Sequence, residues 1–85
     1  MNARQFRKAI MEVMQETHSD AYWISTNMVD AVLVEEHQVF EATPQRVGTN
    51  LNILKRFGYV DRLNETPAWK LTEKGIKCDL NKITF

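Results

Sequence analysis

Between Thr43 and Gly75 the chain orders its helix and strand signals so tightly that few folds remain open to it. Thr43 is a good N-cap, and Pro44 after it is preset for the first helical turn, lacking only an N–H that would go unbonded there. Gly58, following Leu54-Lys55-Arg56-Phe57, supplies the left-handed residue that stops the helix. At about 100° per residue, Val47, Leu51 and Leu54 share one face while Gln45, Thr49, Asn52 and Arg56 lie almost directly opposite. One face therefore belongs to a core and the other is a hydrogen-bonding surface. Tyr59-Val60-Asp61-Arg62-Leu63 and Ala68-Trp69-Lys70-Leu71 then read as two strands joined by the polar loop Asn64-Glu65-Thr66-Pro67. Two strands alone are marginal, so they must pack on helices or pair with the short apolar run Tyr22-Trp23-Ile24.

The helix over 44–57 is locally odd in ways that packing does not require. Thr49, Asn50 and Asn52 are mediocre helix formers, and Gly48 in a helix interior costs roughly 1 kcal/mol relative to Ala. Arg46 stands in the first turn, where the helix dipole prefers an acid, and no Asp or Glu occurs between Glu41 and Asp61. Such a face makes sense if phosphates and base edges supply the missing partners. The plainer reading is an ordinary solvated, Asn-rich helix face.

Upstream, the spacing predicts a first helix over residues 3–17 with Phe6, Ile10, Val13 and Met14 as its buried stripe, extended by Met11. Ser25 or Thr26 is expected to cap a second helix reaching Glu36 or His37, with Met28, Val29, Val32 and Leu33 inward and Asp30 near its favourable N-terminal end. Trp23 is expected in the core, because a small domain needs its large aromatics for burial. Thr72-Glu73-Lys74-Gly75 is expected to turn the chain back toward the body, and the tail 76–85, where Ile83 and Phe85 alternate as on a strand edge, either covers the core or pairs with a second subunit.

Eighty-five residues make one domain with one small core. No apolar run is long enough to span a bilayer and no signal core follows the first eight residues, so a soluble, cytoplasmic protein is expected. Cys78 is the lone cysteine and the two histidines stand far apart, so neither an internal disulfide nor a metal site is expected, and no cofactor. The net charge of zero conceals an asymmetry. Residues 1–43 carry three basic and seven acidic side chains, a balance of −4, and residues 44–85 carry eight and four, a balance of +4. Positive charge thus collects on the polar helix and the hairpin.

These segments together resemble the winged helix-turn-helix DNA-binding domains of bacterial regulators, of the MarR-like and PadR-like kind. The likeness is sharpest at Thr43-Pro44-Gln45-Arg46-Val47, at Leu54-Lys55-Arg56-Phe57-Gly58-Tyr59-Val60 and at Trp69-Lys70-Leu71-Thr72-Glu73-Lys74-Gly75. It implies an α+β, mainly α domain of three helices with a small antiparallel β-hairpin wing at about 59–71. It also implies a helix over 44–57 that enters the major groove with base contacts from Gln45, Arg46, Thr49 and Asn50, and a hairpin tip near Arg62 to Thr66 that touches the backbone or minor groove. The chain departs from that pattern in the long stretch between Thr26 and Ala42, in the acid Glu65 on a short wing, and in the absence of long flanking helices for dimerisation.

Two functions from different classes follow. The first is a small DNA-binding protein, a transcriptional regulator, with Gln45, Arg46, Thr49, Asn50 and Asn52 at the bases and Lys55, Arg56, Arg62 and Lys70 on phosphates of double-stranded DNA. The second is a winged-helix module that binds protein, as a homodimer or with another partner, through its acidic half or through Ile53 and Phe57. Ile53 is awkward for a DNA face, being apolar yet well off the buried stripe; with Phe57 it is expected to pack under the hairpin or to form a protein contact. An enzyme is not expected, since no nucleophile and base pair, paired carboxylates or Gly-rich phosphate loop can be named.

Overall fold

Each helix begins at a side chain that closes its first turn. Asn2 accepts from the Gln5 N–H at 2.9 Å while the Gln5 side chain accepts from the Asn2 N–H at 2.9 Å, a reciprocal box that opens α1 (Ala3–Thr17). Ser25 caps α2 (Thr26–Glu35), accepting from the Met28 N–H at 3.0 Å. Thr43 caps α3 (Pro44–Arg56), accepting from the Arg46 N–H at 3.1 Å, and Gly58 with φ of +86° ends the turn that follows α3. Strands β1 (Ile24–Ser25), β2 (Val60–Arg62) and β3 (Ala68–Leu71) form one antiparallel sheet in the order β1-β3-β2. Thr72 caps a short fourth helix, α4 (Glu73–Lys77), with Glu73 in its first turn. These elements are those of a computed structural model that describes residues 1–18 and 23–85.

The protein is an α+β, mainly helical fold, and its described residues form four helices where three are expected from sequence. Helices α1, α2 and α3 pack against one another, and the sheet closes one side of the core. Phe6, Ile10, Met11, Val13 and Met14 are buried on α1, and Val47, Leu51 and Leu54 on α3. Residues 24 and 25 pair with Trp69 and Ala68 on β3, so the upstream segment does complete the hairpin sheet, although Tyr22 lies outside the described residues. Trp69, only 2% exposed, is the core tryptophan. Trp23, expected there, is half-buried, with Lys70 Nζ 5.0 Å from its ring centre. Met28, expected inward on α2, is exposed, because Val29 and Leu33 hold the side of that helix that meets the core.

One buried network ties α2 to the hairpin. The Trp69 indole N–H donates to Thr26 Oγ1 at 2.8 Å, and the Thr26 N–H donates to the Pro67 carbonyl at 2.9 Å. Thr26→Val preserves shape but strips the acceptor from a buried donor, and a loss of about 1 to 3 kcal/mol is expected in urea unfolding. Thr26→Ser should lose clearly less. Equal losses for the two variants would show that the hydroxyl is not what holds the indole.

The tail is no strand: Cys78, Leu80 and Ile83 pack against the core, and Phe85 is buried edge-to-face on Tyr59 with ring centres 5.3 Å apart. Of the two expectations for 76–85, covering the core is the one the fold adopts. Gln15 on α1 donates to the Gly75 and Cys78 carbonyls at 3.0 and 2.9 Å, satisfying acceptors that α4 leaves open at its C-terminal end.

Candidate nucleic-acid interface

Because Val47, Leu51 and Leu54 anchor α3 from inside, its opposite face must point to solvent. Gln45, Thr49, Asn52, Lys55 and Arg56 are all exposed there. Thr49 Oγ1 donates to the Gln45 carbonyl at 3.0 Å, a local bond that uses its hydroxyl hydrogen within the helix and leaves the oxygen able to accept. Among the described residues, the side chains of Gln45, Asn52, Lys55 and Arg56 have no hydrogen-bond or ion-pair partner. Thr49, Asn52, Ile53, Lys55 and Arg56 line one shallow open hollow on this face.

Four of the nine residues expected at a DNA interface are engaged elsewhere. Asn50 is only 7% exposed; its Nδ2 donates to the Arg46 carbonyl at 2.9 Å and its Oδ1 accepts from Arg7 Nη1 at 3.2 Å. Arg7 also donates from Nε and Nη2 to the Phe85 carbonyl, at 2.8 and 2.5 Å. Asn50 thus joins α3 to α1 and the tail, and it is not part of the outer face. Arg46 lies with its guanidinium 4.2 Å from the centre of the buried Phe6 ring, a cation–π contact that answers its unfavourable place at the helix N-terminus. Arg62 donates from Nε to the Thr66 carbonyl at 2.7 Å and from Nη2 to the Glu65 carbonyl at 3.0 Å, closing its own loop with its guanidinium 5.3 Å from the Trp69 ring centre. Lys70 lies over Trp23.

The motif ending in Gly75 has a structural role. Thr72 Oγ1 donates to the Gly58 carbonyl at 2.6 Å, and Lys74 Nζ donates to the Phe57 carbonyl at 2.7 Å. Both satisfy acceptors at the C-terminal end of α3, where a cation is favoured. The expected packing of Ile53 and Phe57 under the hairpin is not found: Phe57 is 45% exposed and Ile53 half-buried, both outside the core cluster, since Tyr59 and Val60 already fill that side. Phe40 is 75% exposed in the 36–43 connection, whose Val39 is buried.

Other chemistry is sparse. The Cys78 thiol is pushed up by burial first and by Asp79 second, with Lys74 acting in the opposite sense, so it stays protonated at neutral pH. His37 Nε2 lies 3.0 Å from Glu16 Oε2, bridging the end of α2 to α1. Among the described residues no group of three or more His, Cys, Asp or Glu is placed to hold a metal, and no helix is long and apolar enough to cross a membrane. Compared with known proteins, the chain matches no family model, no curated protein and no solved structure.

Proposed function

We propose that this protein is a small DNA-binding domain of the winged helix-turn-helix kind, a transcriptional regulator that sets α3 in the major groove of double-stranded DNA. The observation that carries the reading is the outer face of α3: Gln45, Thr49, Asn52 and Arg56 in one exposed row, without an acid, on a helix whose other face is locked in the core. A row of amide, hydroxyl and guanidinium groups matches the donors and acceptors of base edges and phosphates. The +4 balance of residues 44–85 adds attraction on the same part of the chain. With Arg62 closing its own loop, the phosphate contacts fall to Lys55 and Arg56. So few contacts imply weak binding by a single copy. The 36–43 connection between α2 and α3 is longer than the three to four residues usual in a helix-turn-helix, and Val39 anchors it to the core.

Titration of the full chain against short duplexes at low salt tests this. Lys55→Ala and Arg56→Ala are each expected to weaken all sequences alike and to flatten the salt dependence by about one unit per lost phosphate contact. Wild-type protein that retains no duplex at low salt would overturn the proposal. The protein-binding alternative keeps one specific support, the exposed Phe57 beside α3. It would stand instead if DNA were not retained and Phe57→Asp, still folded, lost a defined protein partner.

A further inference from the structure

Resting on the reading that α3 enters the major groove, we infer that the site it reads is built on two A·T pairs about three steps apart, contacted by Gln45 and Asn52, with thymine methyls against Thr49 and Ile53. Gln45 and Asn52 are exposed primary amides whose side chains have no partner among the described residues, and a primary amide is the side-chain group that matches adenine N6 and N7 with two hydrogen bonds. Seven residues separate them, and at about 1.5 Å of rise each the two amides stand about 10 Å apart along the helix. That span matches three base steps of about 3.4 Å.

Between them the face presents carbon. Thr49 commits its hydroxyl hydrogen to the Gln45 carbonyl, its exposed side chain also carries a methyl, and the half-buried Ile53 lines the same hollow as Thr49 and Asn52. Thymine C5-methyl is the apolar feature of the major-groove floor. Ile53, awkward as a core residue and awkward on a purely polar face, has a use here. The residues that would favour guanine are placed away from the row's N-terminal half: Arg46 lies over Phe6, and Arg56 stands at the far end of α3, where a helix lying in the groove returns to the backbone.

The test is selection by the full chain, at low salt, from duplexes with a randomised centre, followed by titration of the enriched duplex. Two A·T pairs about three steps apart are expected, and changing either to G·C should weaken binding about tenfold or more. Replacing adenine by 7-deazaadenine at either position removes only the N7 acceptor and should weaken binding in the same direction. Gln45→Arg, at an exposed position, is expected to keep the wild-type melting temperature and to move the preference at one of the two pairs from A·T to G·C. A G·C-centred site, or the same site for Gln45→Arg as for wild type, overturns the inference. Retention of all duplexes with no enriched site also overturns it while leaving DNA binding intact, and no retention at all overturns both readings.

Discussion

Leu51→Ala is expected to remove about 2 to 5 kcal/mol of stability. Leu51 is fully buried on the inner face of α3, in the cluster that this helix shares with α1 and α2, so truncation leaves a cavity in the middle of the core. A domain of this size holds roughly 5 to 10 kcal/mol in total, and the variant should be left close to half-unfolded conditions on modest heating. With about 4 to 8 °C lost per kcal/mol in a chain this short, a melting temperature lower by about 8 °C or more is expected. Asn52→Ala, on the exposed face of the same helix, should stay within about 0.5 kcal/mol of wild type. Equal melting temperatures for the two variants would mean that α3 is turned the other way about its axis.

The second large effect is Gly75→Ala, and it runs against helix propensity. Gly75 lies inside α4, where Ala would ordinarily stabilise by about 1 kcal/mol. A Cβ there would overlap the Tyr59 carbonyl oxygen and stand 3.0 Å from Leu71 Cδ2. That carbonyl cannot easily retreat, because the Thr72 N–H donates to it at 3.1 Å at the point where β2 leaves α3. Either α4 lifts away or the start of β2 moves, at a cost of about 1 to 3 kcal/mol or more. Gly48→Ala is the control: its Cβ would meet only Thr26 Cγ2 at 3.7 Å, an ordinary contact, so that variant is expected to gain up to about 1 kcal/mol. Chemical denaturation of the two variants side by side decides the matter, and a Gly75→Ala protein as stable as Gly48→Ala would refute the close approach.

Those two glycines show where local reasoning ends. The sequence by itself determined what depends on neighbours along the chain. Helix α1 has the expected bounds and buried stripe, Thr43 and Pro44 open α3 as capping chemistry requires, Gly58 takes the left-handed conformation after it, and β3 spans Ala68–Leu71 as read. These features rest on helical period, caps and alternation, which a few consecutive residues contain. The outer row of α3 was legible for the same reason, since fixing Val47, Leu51 and Leu54 inward turns Gln45, Thr49, Asn52 and Arg56 outward.

Only the tertiary structure decided which partner each polar side chain finds. Asn50 stands about 140° around the helix from Gln45, so the wheel alone sets it apart from the row, yet its burial depends on Arg7 and the Phe85 carbonyl arriving from distant parts of the chain. Arg46 and Arg62 read as free cations until Phe6 and the Thr66 carbonyl are placed beside them. Trp69 became the core tryptophan and Trp23 did not, because β3 is the central strand and Thr26 offers the buried indole an acceptor. Helix α4 is too short for periodicity to reveal, although Thr72 followed by Glu73 did carry the signature of a cap and an acidic first turn. Long-range contacts choose among side-chain arrangements that the local chain leaves nearly equal in energy, and here they divide the residues of α3 between those that build the fold and those that face outward.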